Sequence, residues 1–181
     1  RQVSGNHEAR VSEYQDLKTG LEAAGVTVLD DAQVKIEVSG ESITVIGVND
    51  PSFHADYLTS DAAVIDRKLS ELSSEDAGFA ILLSHRPELF DTYVAHDMDL
   101  ILTGHAHGGQ FRLPLIGGLI APNQGLFPKY DDGLYSEGNT NMIVSRGLGN
   151  SIIPFRSLNA RIRLTLLYRF SFVSALTCPS T

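Results

Sequence analysis

Two hydrophobic periods take turns along this chain. Between Ala9 and Ala24 the apolar positions Val11, Tyr14, Leu17, Leu21 and Ala24 recur at steps of three and four, and Gly25 stands where a helix C-terminal cap belongs. This spacing predicts an amphipathic helix packed on a sheet. Residues 26–29 (Val-Thr-Val-Leu) read as a short strand. Residues 34–38 and 43–48 flank Ser39-Gly-Glu-Ser42 as a hairpin, and alternation in the first arm predicts one wet face. Asn49-Asp-Pro51 breaks that strand, and a second helix is expected from Asp61 to Leu72, where Val64, Ile65, Lys68, Leu69 and Leu72 fall near helical spacing. Residues 79–83 form a continuous apolar run, the pattern of a buried strand.

Arg86-Pro87 opens a short helix reaching about His96, because proline is tolerated in a first turn. A further apolar strand, 98–102, runs into Leu102-Thr-Gly-His-Ala-His-Gly-Gly-Gln110, where glycines turn the chain just as it leaves the sheet. From Leu113 to Gly138 the chain is rich in Gly, Pro, Asn and Asp and is expected to be a long ordered loop over a site mouth. Residues 141–145 and 160–167 read as two late strands. Arg146-Gly-Leu-Gly-Asn150 between them is favoured as a tight turn over a phosphate cradle, since the Lys and Ser/Thr of a P-loop do not follow. Strands alternating with helices, plus a hairpin and late strands, give the fold class α/β with mixed sheets.

Composition narrows the chemistry. With 181 residues and 43% hydrophobic content, the chain suffices for one domain with a proper core. A net charge of -8 argues against nucleic acid as a partner, because phosphate backbones need a concentrated basic face. Cys178 is the single cysteine, so neither an intrachain disulfide nor a thiolate zinc site is available, and any metal must use His, Asn and carboxylates. No apolar run approaches the roughly 20 residues of a membrane span, and no signal-peptide pattern opens the chain. The start at Arg1, without methionine, leads us to expect a fragment or processed form.

The candidate donors coincide in position. Asn6, in Ser4-Gly-Asn-His-Glu8, and His85, in Ile81-Leu-Leu-Ser-His-Arg-Pro87, both close expected strands, as do His105 and His107. Ligands of open α/β sheets gather outside the carboxyl ends of strands, and neutral imidazoles are common ligands of transition metals. The i, i+2 spacing of His105 and His107 would aim both side chains the same way in an extended segment. Four such coincidences favour a built metal site over scattered surface residues. Other polar residues have two readings each. Glu8 either orients ligands or sits in the first turn of a helix; Arg86 and Arg146 either contact a phosphate or form loop ion pairs. Asp50 reads mainly as a turn residue, His54 and His96 as solvent-facing, and Lys129, Tyr130 and Tyr135 as residues shaping a pocket.

Taken in order, Gly5-Asn-His-Glu8, the strand ending in His85 and Gly104-His-Ala-His107 resemble motifs of the calcineurin-like metallophosphoesterase superfamily. Gly104-His-Ala-His-Gly-Gly-Gln110, the Pro-rich loop with Lys129-Tyr130 and Gly133-Leu-Tyr135, and Val144-Ser-Arg-Gly-Leu-Gly149 resemble its bacterial membrane-associated phosphohydrolase branch. The resemblance implies the C-terminal part of an α/β/β/α sandwich over residues 1–168, with a divergent tail at 169–181. It implies a site with two divalent metal ions (manganese, iron or zinc), in which Asn6, His85 and His105 ligate one ion and His107 the other. His7 becomes the catalytic acid, or charge-stabilising group, beside the leaving oxygen. The implied activity is hydrolysis of phosphomonoesters or phosphodiesters, with lipid-linked or nucleotide-sugar pyrophosphates among the substrates. The implied setting is the cytoplasm or membrane of a bacterium, with peripheral membrane association; the apolar Phe170, Phe172, Val173 and Leu176 of the tail are a candidate for such contact.

The chain also departs from the family pattern. The family's Asp-x-His and Gly-Asp-x-x-Asp motifs precede Gly-Asn-His-Glu, and neither occurs in these 181 residues. The expectation is therefore half a site, a cluster of neutral donors that binds metal weakly, and an impaired activity. An unpaired sheet edge and exposed apolar surface are expected to accompany it. The alternative function is a metal-poor module that keeps the fold as a protein-interaction scaffold.

Overall fold

Ser39 and Gly40 both take left-handed φ, 53° and 87°. That is the geometry with which a two-residue turn follows the right-handed twist of its strands. The computed structural model describes residues 1–54, 56, 58–72, 78–113 and 117–147 of the 181. In chain order its main elements are α1 (Tyr14–Ala23), the hairpin arms β1 (Ala32–Val38) and β2 (Glu41–Gly47), and α2 (Asp61–Leu72). These are followed by β3 (Phe79–Leu83), α3 (Phe90–Ala95) and β4 (Leu100–Thr103). Last come β5 (Phe111–Leu113), β6 (Gly117–Ala121), β7 (Gly125–Leu126), β8 (Gly133–Glu137) and β9 (Thr140–Val144).

Six strands form the main sheet in the order β1-β2-β3-β4-β9-β8. The central neighbours β2, β3, β4 and β9 are parallel, and antiparallel β1 and β8 close the edges. The fold is a mixed α/β arrangement with a mostly parallel sheet. Strands β5, β6 and β7 make a separate small antiparallel sheet, so the region expected as loop between Leu113 and Gly138 carries hydrogen-bonded strands. Two of its strands open on glycines of positive φ, Gly117 in β6 and Gly125 in β7.

The core lies on one face of the main sheet. Ile46, Ala80, Leu82, Ile101 and Met142 point from the strands toward Ile65 and Leu69 of α2 and Phe90 and Tyr93 of α3. Full burial of each large apolar side chain contributes roughly 1.5–3 kcal/mol, which is what fixes this pair of helices on the sheet. The opposite-facing Ile81, Leu83, Leu100, Leu102 and Ile143 are only partly covered. The apolar run of β3 is therefore buried on one side rather than both.

The first helix differs from its expected form. A 3-10 turn, Glu8–Arg10, precedes an α1 that starts only at Tyr14, and Tyr14 is its one buried residue. Val11 and Leu17 stay 45% and 43% exposed. A polar chain secures the element instead: Ser4 Oγ donates to the Tyr14 hydroxyl (2.7 Å), which donates to Asp30 (2.5 Å), and Lys18 pairs with the same carboxylate at 2.7 Å. The expected strand at 26–29 reduces to a parallel bridge between Gln2 and Val28. The strand expected at 160–167 and the tail at 169–181 lie outside the described residues. Among the described residues no helix is long and apolar enough to cross a membrane.

Candidate metal centre

The parallel ladder brings three segments to one end of the sheet. Past β2, Val48 N–H donates to Leu83 O (3.1 Å), and Ser84 N–H donates to Leu102 O (3.2 Å). The chain therefore leaves β2, β3 and β4 at the same level, placing Asn49-Asp50, Ser84-His-Arg86 and Gly104-His-Ala-His107 side by side. The N-terminal segment joins them through the Asp50 N–H, which donates to Ser4 O (3.2 Å).

The backbone around His85 is pinned from two sides. Thr103 Oγ1 donates to His85 O (2.9 Å), and the buried Tyr93 hydroxyl donates to Arg86 O (2.6 Å) while meeting Ser84 Oγ at 2.8 Å. From this fixed base the imidazole Nε2 lies 2.9 Å from Asn6 Oδ1 and 3.0 Å from His105 Nδ1. The two rings meet edge to face with centroids 4.7 Å apart. Gly5 is the residue that permits this approach: a Cβ there would come within 2.9 Å of three His85 ring atoms. Its N–H donates to Glu8 Oε2 (2.8 Å), so Glu8 closes the turn that carries Asn6.

Both imidazoles are held neutral. Burial lowers the pKa of His85, and burial together with the neighbouring His85 lowers that of His105 to about 3. His105 Nε2 is buried without a hydrogen-bond partner among the described residues. His105 and His107 both adopt left-handed φ (60° and 55°) around the fully buried Ala106. The pair therefore sits on a tight turn, closed by Gly109 N–H donating to Ala106 O (2.8 Å), and not on the extended segment that i, i+2 spacing suggests. Left-handed backbone costs about 1–2 kcal/mol at each such residue, and residues held this way gather at functional sites.

The donor set can be tested for fit to a metal. Among the described residues no three His, Cys, Asp or Glu side chains group as a metal cage; the third convergent donor beside the two histidines is Asn6. Two donors at right angles around a transition ion with bonds of about 2.1 Å stand roughly 3 Å apart. The Asn6–His85 and His85–His105 separations of 2.9 and 3.0 Å match that edge. A neutral imidazole can offer one unprotonated ring nitrogen, and such a nitrogen with a carbonyl oxygen suits a borderline divalent cation. Asn6, His85 and His105 thus fit one ion. His107 lies within electrostatic range of both histidines. His7 is exposed at the start of the 3-10 turn, next to Asn6.

The remaining candidates sort themselves by burial. Arg86 is 5% exposed and grips Asp50 with two hydrogen bonds, Nε to Oδ2 at 2.5 Å and NH2 to Oδ1 at 2.7 Å. Asp50 is indeed a turn residue, accepting from Ser52 N–H (2.9 Å), and it is also this arginine's fully buried partner. Sequence reading passed over that second role because an Asn-Asp-Pro turn gives no sign of what the chain brings beside it. Arg146 pairs with Asp132 and lies over Gly108, where a Cβ would meet its Cγ at 2.7 Å. Asp132, with no periodic pattern around it, carried no signal in the sequence. Tyr130 is buried edge-on between Phe90 and Tyr135, so it braces the core rather than lining a cleft, and Lys129 stands over its ring. His96 meets Asp66 at 2.9 Å on the surface, and His54 lines a groove of about 380 Å³ with Arg67, Lys68 and Glu71.

No family model matches the chain. Curated relatives do. It is 32% identical over 158 residues to the uncharacterized metallophosphoesterase YkuE of Bacillus subtilis (strain 168), covering 86% of this chain and 51% of that protein. It is 30% identical over 165 residues to the phosphodiesterase YaeI of Escherichia coli (strain K12), covering 90% and 55%. A second uncharacterized metallophosphoesterase of Bacillus subtilis, YkoQ, is 27% identical over 156 residues, covering 85% and 54%. The chain spans about half the length of these relatives. Matches to metallophosphoesterases and a phosphodiesterase over most of its own length support a place in the calcineurin-like metallophosphoesterase superfamily.

Proposed function

We propose that this chain carries part of the active site of a metal-dependent hydrolase of phosphate monoesters or diesters. The observation that supports it most is the convergence of Asn6 Oδ1, His85 Nε2 and His105 Nδ1 within 2.9 and 3.0 Å contacts at the carboxyl end of the sheet. These three would hold one divalent ion, and His107 would contribute to a second. Bound there, the metal would act as a Lewis acid toward phosphoryl oxygen and lower the pKa of a water nucleophile. The chain's own part is to present neutral donors from which water has been removed and to fix them before substrate arrives. His7, exposed beside Asn6, would carry the proton for the leaving oxygen, a task suited to imidazole at neutral pH.

The relatives' names support phosphoester hydrolysis as the general class. Neither Asp-x-His nor Gly-Asp-x-x-Asp occurs in the 181 residues, so in this proposal hydrolysis by the 181 residues alone is weak. A second reading, a metal-poor interaction module, is favoured by the wholly neutral set of Asn and His donors. Metal content after dialysis against manganese or zinc, followed by hydrolysis of bis(p-nitrophenyl) phosphate, separates them. One ion per chain, lost in the His85→Ala, His105→Ala double variant, upholds the metal reading; no bound ion and no hydrolysis, in this chain and in a longer protein containing it, overturns it. Lipid-linked and nucleotide-sugar pyrophosphates, presented free and on vesicles, are the substrates to compare next.

A further inference from the structure

The segments that carry Asn6 and His85 are 79 positions apart in sequence, yet their side chains touch. A closed ring of contacts runs behind that meeting point. Asn6 touches His85; the next residue, Arg86, holds Asp50 through both of its carboxylate oxygens; and the Asp50 N–H binds Ser4 O, two residues before Asn6. Arg86 is the only residue of the ring whose side chain reaches from one segment to another and also adjoins a donor.

Resting on the metal-site reading above, we propose that Arg86 is a positioning residue: through Asp50 it locks the Asn6 and His85 segments in register, so that their donors are preformed for an ion. A direct role on substrate phosphate is disfavoured by its surroundings. The guanidinium is 5% exposed and already faces Asp50, Asp61 (3.3 Å), Glu88 (3.4 Å) and Ser52 Oγ (3.1 Å). Burial raises the pKa of Glu88 to about 7, but Asp50 and Asp61 alone already outweigh the one cation and leave the cluster net negative, which repels an anion. The need is for the planar fork: a lysine keeps the charge but cannot engage both oxygens of Asp50 in one plane.

The test is Arg86→Lys in the 181-residue chain, with Asp50→Asn as a second variant should the first not fold, and Ile65→Val as a core variant away from the ring. Two signals are followed at equal folded fraction: cobalt(II) affinity from the visible absorption of the bound ion, and the ring ¹⁵N resonances of His85 in metal-free protein. The expected result is cobalt(II) binding at least about tenfold weaker, the size of effect seen when residues that orient ligands are changed. His85 resonances are expected to move, while Ile65→Val changes neither. Wild-type affinity and unmoved His85 resonances in Arg86→Lys would overturn the positioning role, as would losses no greater than those of Ile65→Val. If the unaltered chain shows no cobalt(II) absorption, it is the metal reading that fails, and the His85 resonances of the metal-free variants still decide whether Arg86 sets that side chain.

Discussion

His105 and His107 stand two residues apart in one turn and share a left-handed backbone, but their support differs. His105 is 7% exposed and touches a second imidazole whose own backbone is held by Thr103 and, one residue on, by Tyr93. His107 is partly exposed, and the glycine after it lies against Arg146, which pairs with Asp132 just ahead of β8. One imidazole is thus packed at the end of a parallel sheet, and the other sits beside a clamp between loops. A motif read as one unit is built from two parts with different support.

The largest expected effect tests the interior half. Asp50→Ala leaves the Arg86 charge buried without its principal partner and is expected to lower stability by about 3–5 kcal/mol in urea unfolding. Asp132→Ala, removing the partly exposed partner of Arg146, is expected to cost about 1 kcal/mol. Equal losses would abolish the distinction between the halves.

Metal affinity sharpens it next. His85→Ala is expected to weaken manganese or zinc binding by about 100-fold or more, beyond the 10–100-fold typical of supporting residues, and His107→Ala by about tenfold. Equilibrium dialysis measures both.

Acid gives a third, smaller contrast. In the unfolded chain a histidine takes up its proton near pH 6.5, whereas folded His105 resists until about 3. The unfolded state therefore binds more protons in this window, so stability is fully present above pH 6.5 and falls as pH drops toward 3. The slope is at most about 1.4 kcal/mol per pH unit for this residue. His105→Asn, a side chain tolerant of left-handed backbone, should flatten that slope in unfolding curves at pH 7, 6 and 5.

A last contrast comes from two glycines. Gly108→Ala adds a Cβ at φ 70° against Arg146 and is expected to cost about 1–2 kcal/mol, part of it relieved when Arg146→Ala is combined. Gly20, inside α1 with nothing within 4 Å of an added Cβ, should instead gain about 0.5–1 kcal/mol on change to alanine. Thermal unfolding distinguishes the two signs.

What the sequence determined by itself was local and periodic. Helix α2 runs from Asp61 to Leu72 and β3 from Phe79 to Leu83, as their apolar spacing predicts, because a period of 3.6 or an uninterrupted apolar run leaves few ways to bury those residues. The hairpin was expected around Ser39-Gly-Glu-Ser42 and turns more tightly, on Ser39-Gly40 alone, and Asn6, His85 and His105 were legible as candidates because each follows a stretch expected as a strand. The small sheet of β5, β6 and β7 escaped notice because strands of two to five residues among glycines carry too few apolar positions to show a period. The late first turn of α1 escaped because a polar chain through Tyr14 and Asp30, not an apolar stripe, holds it.

Only the tertiary structure decided which of these residues meet. The contact of Asn6 with His85, the burial of Arg86 on Asp50 and the clamp of Asp132 on Arg146 join segments 79, 36 and 14 positions apart. Such pairings depend on strand order and on the level at which parallel strands end, quantities that no local pattern encodes. The left-handed turn at His105 and His107 is of the same kind: its cost is local, and what holds it is the packing of Ala106 and the ladder beneath it.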